Sequence, residues 1–178
     1  RKQLKEIGAE SVYPGTCKKR NISLAAENIA WRLNTDEPLK LKYMEFGQGT
    51  VETALPASQQ YFVVKRRDDL PAYHLASLAD DLHFGVNFIV RGHDLYDSTL
   101  AQLYLGEKLQ AQAFLHTTFF HHPLILDHNV KLSKSQNASP VLEEFYPDKT
   151  RLFRKLGALL GLAPDQAGTL EDIARHFS

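Results

Sequence analysis

The pentapeptide Lys131-Leu132-Ser133-Lys134-Ser135 gathers the side chains of this chain best suited to a polyphosphate. Two ammonium groups supply point charge, and serine hydroxyls and backbone N–H groups supply donors. A Lys/Ser loop alone is usually just solvated, so its neighbours decide the reading. Lys65-Arg66-Arg67-Asp68 and Arg91-Gly92-His93-Asp94 each follow an apolar run. Arg91 stands out, because a guanidinium grips a carboxylate through two parallel hydrogen bonds. Its competing fate is an ion pair with Asp80, Asp81 or Asp94. The Tyr73 phenol can hydrogen-bond a polar substrate, although by itself the residue favours a buried aromatic with its hydroxyl satisfied.

Other groupings point to less chemistry. Asp80-Asp81 invites a metal, but adjacent helical residues diverge by about 100°, which favours capping or ion pairing. His121-His122 in a strand point to opposite faces and cannot share a metal. Tyr13 and Cys17 supply two ligand atoms at most, short of a tetrahedral zinc set. No Gly-rich phosphate loop is present, and no Ser/His/Asp triad follows from spacing.

The elements that must position these groups can be read from periodicity. Residues 1 to about 37 are expected to be helical around a Pro14-Gly15 turn, with Asn21 or Ser23 capping a helix through Leu24, Ile29 and Trp31. Leu39, Leu41 and Tyr43 alternate with lysines, as in a half-buried strand, before a loop at Gly47, Gly49 and Pro56. Strands are expected over Tyr61–Val64, Val86–Val90 and Phe119–Leu126, with helices between them. That order is an α/β unit with a parallel sheet, and continuous apolar strands imply cover on both faces. In such sheets ligands bind at the carboxyl ends of the strands, where the cationic groups fall. The chain then turns helical. Leu152, Leu156, Leu159 and Leu160 form one stripe ended by Gly161, and Thr169 and Asp172 imitate a capping box.

Composition sets the outer bounds. The chain has 178 residues, 43% hydrophobic and 24% charged, with a formal net charge of +0. Any RNA contact must therefore come from local patches. No apolar run approaches the ~18 residues of a membrane span. The lone Cys17 excludes an internal disulfide and fits a reducing cytoplasm, the expected location. Arg1-Lys2-Gln3-Leu4 reads as the inside of an element, so a piece of a longer protein is expected.

Several of these residues recur in one family. Arg66-Arg67-Asp68, Pro71-Ala72-Tyr73-His74-Leu75-Ala76, Asp80-Asp81, Gly85, Arg91-Gly92-x-Asp94-Leu95, Ser98-Thr99, Gln102, His122-Pro123-Leu124 and Lys131-Leu132-Ser133-Lys134 resemble, in that order, the catalytic domain of class I glutamyl-tRNA synthetases. The Arg-Gly-x-Asp-Leu and Ser-Thr-x-x-Gln forms look more like the short paralogous group, the glutamyl-queuosine tRNA(Asp) synthetases. The resemblance implies the second half of a Rossmann-like parallel sheet (61–130), an N-terminal insertion-domain remnant for zinc and the acceptor stem (1–60), and the Lys/Ser loop with C-terminal helices (131–178). It implies that Tyr73 and Arg91 bind L-glutamate, that residues 131–135, Lys134 above all, contact ATP, and that Mg2+ accompanies the ATP. It also matches Tyr13 and Cys17 to two zinc ligands, whose Cys-x-Cys partners lie upstream in that family and leave Zn2+ to a full-length parent.

The function implied is glutamate activation with ATP and transfer to the queuosine base of tRNA(Asp), by a monomer without membrane partners. The fragment is expected to be inactive alone. The alternatives are the catalytic domain of an ordinary glutamyl-tRNA synthetase, and a non-catalytic synthetase-like module that binds RNA or protein.

Overall fold

The computed structural model describes Tyr13 and residues 15–124, 126–127, 130–131 and 148–176. They belong to two compact units, Arg1–Leu124 and Ile125–Ser178. Among the described residues no helix is long and apolar enough to cross a membrane.

The first unit is built on a mixed four-stranded sheet. Strand β2 (Lys40–Glu45) turns Leu41, Tyr43 and Glu45 inward and the residues between them outward. It forms an antiparallel hairpin with β3 (Gly49–Ala54). Gly47 and Gly49 take φ of +77° and +85° in the turn, a backbone that side chains disfavour. On its other side β2 runs parallel to β6 (Thr118–His122), which runs parallel to β5 (Phe88–Gly92). The order is therefore β3-β2-β6-β5.

Helices cover one face of this sheet. Helix α1 (Tyr73–His83) ends at Gly85, which takes φ +64°. Helix α2 (Tyr96–Leu109) follows β5 through a 3-10 turn at His93–Leu95, and the single turn α3 (Gln112–Leu115) leads into β6. Leu78 of α1, Leu100, Leu103 and Tyr104 of α2 and Phe114 of α3 close on Leu41, Ile89 and Phe119 of the sheet. Burial of this apolar surface is the main stabilising term of the unit.

Three expectations need correction. Residues 15–30 form turns rather than helix, and Trp31–Arg32 is a short strand, β1. Positive φ at Asn21 and Asn28 breaks the path a helix would need. The strand at residues 61–64 begins later, as β4 (Val63–Lys65), and pairs antiparallel with β1 outside the main sheet. Its other edge is already taken, since Lys65 bridges Pro71 and Ala72 N–H donates to Val64 C=O at 2.9 Å. Finally, only one face of the main sheet is covered among the described residues. Met44, Phe46, Phe88 and Val90 are exposed on the other face, with Phe46 meeting the rings of Phe88 and Phe120 edge-on.

In the second unit, β7 (Leu126–Asp127) and β8 (Val130–Lys131) pair antiparallel. Helix α4 (Lys149–Leu159) is capped by Asp148, which accepts from Arg151 N–H, and Gly161 at φ +78° follows it. Helix α5 (Leu170–His176) opens with a reciprocal pair. Asp172 N–H donates to Thr169 Oγ1 at 3.1 Å, and Thr169 N–H to Asp172 Oδ2 at 2.9 Å, a capping box with aspartate in the glutamate's place. Leu162, Ala167 and Ile173 pack with Phe153 and Leu156. A Cβ on Gly157 would lie 2.2 Å from that of Ala167, so only glycine permits this approach.

Candidate active site

The carboxyl ends of β2, β5 and β6 lie together because these strands are parallel. Their last inward-facing residues are Glu45, Arg91 and His121. The β5 strand runs two residues later than the apolar run suggests. Arg91 is consequently inside the strand, opposite His121, and only 9% exposed.

A buried guanidinium needs acceptors. Arg91 Nη1 donates to Gln102 Oε1 at 2.6 Å and to Thr99 Oγ1 at 3.3 Å, both on α2. Its charge also lies over the Phe119 ring, 5.7 Å from the centroid. Burial lowers the pKa of Arg91, against the opposing influence of Tyr73 and Asp81. Asp81 is itself raised by burial, with Arg91 acting the other way. His74 is lowered by burial and then by the charge of Arg91.

Three buried polar atoms around this centre have no hydrogen-bond partner: His74 Nε2, Asp81 Oδ2 and Gln102 Nε2. Gln102 touches Arg91, and the other two residues share its electrostatic field. Unsatisfied buried polar atoms are costly and rare, so each calls for a partner such as water, an ion or a ligand. Tyr73, the first residue of α1, is 52% exposed beside this cluster. A carboxylate meeting Arg91 here would gain a charge-assisted hydrogen bond from a group already fixed by two others.

The sequence singles out Arg91 and Tyr73; the structure buries Arg91 at the end of β5 and leaves Tyr73 half-exposed at the start of α1. It adds Gln102, Thr99, Asp81 and His74. Asp80 and Asp81 diverge as helix geometry requires, with Asp80 exposed and Asp81 turned partly inward. The cations that end β4 are spent locally, Lys65 on Asp69 and Arg66 on Asp68. Of the Lys/Ser loop, Lys131 is the last residue of β8, while Leu132, Ser133, Lys134 and Ser135 lie outside the described residues.

Tyr13 and Cys17 do converge. The Tyr13 hydroxyl accepts from Cys17 N–H at 2.7 Å and from Thr16 Oγ1 at 3.3 Å. The same phenol lowers the pKa of the exposed Cys17 thiol, which favours the thiolate a metal requires. Two convergent donors fit half of a tetrahedral zinc set. The described residues hold no group of three or more His, Cys, Asp or Glu able to bind a metal.

Comparison with known proteins shows the family. The family described as tRNA synthetases class I (E and Q), catalytic domain, matches residues 13–167. The chain belongs to that family, whose members are aminoacyl-tRNA synthetase-type ligases. It is 37% identical over 148 residues to a glutamyl-Q tRNA(Asp) synthetase of Photobacterium profundum, covering 83% of this chain and 45% of that protein. It is 39% identical over 176 residues to a protein of the same name from Pseudomonas aeruginosa, covering 98% of this chain and 57% of that one. The chain thus spans about half the length of the curated relatives it matches. A solved glutamate tRNA ligase from Elizabethkingia meningosepticum, in complex with its amino acid, has a TM-score of 0.47 at 17% identity, covering 82% of this chain and 30% of that one.

Proposed function

We propose that this chain is part of a ligase that activates L-glutamate with ATP and transfers it to the queuosine base of tRNA(Asp). The observation that carries this reading is Arg91. It is buried at the carboxyl ends of the parallel strands β5 and β6 and fixed by Gln102 and Thr99, and the amide nitrogen of that same Gln102 is an unpartnered donor. That environment suits a substrate carboxylate, and relatives of about twice the length carry the corresponding name.

In this reading Arg91 binds the glutamate side-chain carboxylate and the Tyr73 phenol donates to the same amino acid. The other carboxylate of glutamate attacks the α-phosphorus of ATP, and pyrophosphate leaves. Lys134, in the segment 131–135, steadies the phosphates as negative charge shifts towards the leaving group; Mg2+, when bound with the ATP, would add counter-charge. Such a displacement needs little covalent help from the protein, so positioning and charge stabilisation supply most of the rate. Residues 1–60 are assigned to the acceptor-stem insertion, although β2 and β3 within them join the main sheet, and Tyr13 and Cys17 would hold Zn2+ with ligands from outside the described residues. The enzyme is proposed to work in the cytoplasm as a monomer.

The test is glutamate-dependent ATP–pyrophosphate exchange by the complete gene product, followed by transfer to purified tRNAs. Charging of queuosine-containing tRNA(Asp) but not tRNA(Glu) is the expected result. Charging of tRNA(Glu) would instead identify an ordinary glutamyl-tRNA synthetase, and tRNA binding with no exchange a non-catalytic module.

A further inference from the structure

Behind Arg91 lies a buried row of polar groups drawn from three other elements. Glu45 of β2 is 4% exposed although it carries a carboxylate. It receives His121 N–H at Oε1, 2.8 Å away, and faces His121 Nδ1 at Oε2 across 2.7 Å. His121 Nε2 lies 2.8 Å from Thr99 Oγ1, the same oxygen that Arg91 Nη1 reaches at 3.3 Å. The row therefore runs carboxylate, imidazole, hydroxyl, guanidinium.

Carboxylate, imidazole and hydroxyl in line is also the layout of a nucleophilic triad. Burial decides against that use. Thr99 is 0% exposed, so no substrate reaches its oxygen. What the hydroxyl meets instead is Arg91. We infer that Glu45, His121, Thr99 and Gln102 are positioning residues, a buried relay that fixes the rotation of the Arg91 guanidinium for its carboxylate ligand.

The hydrogen atoms can be assigned consistently. With Nδ1–H donating to Glu45, Nε2 is left as an acceptor. Thr99 then gives its single proton to Nε2 at 2.8 Å rather than to Leu95 C=O at 3.4 Å. Its lone pairs are thereby turned toward Arg91. The imidazole cannot swing away, because the Phe119 ring stacks on it at 6.1 Å and the Tyr96 ring meets its edge at 5.2 Å. Gln102 completes the clamp with the shorter bond to the same Nη1. A guanidinium held from behind in this way loses less freedom when it binds a ligand.

This inference rests on the glutamate reading for its kinetic consequence but not for its structural one, and the experiment separates them. In this chain labelled with 15N-arginine, the relay predicts slow rotation of the Arg91 guanidinium, seen as resolved Nη resonances. Thr99→Val should merge them and Thr99→Ser should restore them. Gln102→Met is the second variant should Thr99→Val fail to fold. In the complete gene product, Thr99→Val should raise the glutamate KM by about 10-fold or more, the size of a lost charge-assisted hydrogen bond, and move the ATP KM less than about 2-fold. Unchanged Arg91 resonances in the folded variants overturn the relay. So does an unchanged glutamate KM in an active enzyme. A wild-type gene product with no glutamate-dependent exchange overturns the proposed function instead, and the resonances still decide the relay.

Discussion

Arg91 and His121 are lateral partners in adjacent parallel strands, and both side chains meet one hydroxyl, Thr99 Oγ1. The sheet sets their spacing, and the helix that follows β5 supplies the atom between them. A cation and an imidazole are thereby held under one helix at a strand end, where parallel sheets present their ligands.

The nature of the Arg91 contact leads to a first prediction. A carboxylate bound through a planar fork is not served by a point charge. In the complete gene product, Arg91→Ala is expected to raise the glutamate KM at least ~100-fold, and Arg91→Lys to recover only a small part of that loss. Equal glutamate KM values for wild type and Arg91→Ala in exchange assays would remove Arg91 from the site.

The proposed phosphate contact of Lys134 is tested separately. Lys134→Ala in the complete gene product should lower the adenylation rate by about 100-fold with little change in glutamate KM, because its charge matters most as pyrophosphate departs. The 178-residue chain by itself spans about half of its relatives and is expected to show no glutamate-dependent exchange. Robust turnover by this chain would refute that.

Much of this arrangement can be read from local sequence, and the rest cannot, for a physical reason. Leu41 and Tyr43 announce β2 by alternation with lysines, and Gly85 and Gly161 announce helix ends. Arg91 and Tyr73 are chemically conspicuous wherever they fall. The relay is different. Glu45 lies 76 residues from His121, and Thr99 lies 22 residues from it, and nothing local tells a buried glutamate from a solvated one at a hairpin turn. The hydrophobic run through Phe88 and Val90 likewise reads as a strand covered on both faces. The run reports only that these residues are apolar, not which of them meet a neighbour.

That distinction is measurable by denaturation of this chain. Ile89 faces the helices and Val90 the open side of the same strand. Ile89→Ala is expected to cost about 2–5 kcal/mol, as for other large-to-small core changes. Val90→Ala, at a position 59% exposed, should stay within about 0.5 kcal/mol. Similar losses at both positions would mean that the outer face is covered as well.

Asp81 gives a prediction about pH. Burial raises its folded pKa above the ordinary 3.8. Between the unfolded and folded values the folded chain binds more protons, so stability falls as pH rises through that window. Asp81→Asn removes the cost of the charge. The variant should therefore be more stable than wild type at neutral pH, and the two should converge below 3.8, where both states of wild type are protonated. Urea melts across that range check it, and a variant less stable at neutral pH would show that the Arg91–Asp81 attraction outweighs burial.

The Tyr13–Cys17 contact can be tested without a metal. The phenol lowers the thiol pKa, and the thiol is exposed. Thiolate, not thiol, is the species that reacts with iodoacetamide. Cys17 should therefore alkylate faster near neutral pH than an unperturbed cysteine. Tyr13→Phe removes the hydroxyl that meets Cys17 N–H and should slow the reaction toward the unperturbed rate. The rate-against-pH midpoint should move upward in the variant, because a lost hydrogen bond to the thiolate raises its pKa. Identical midpoints in the two proteins would mean that Tyr13 does not stabilise the thiolate, and would weaken its pairing with Cys17 as zinc ligands.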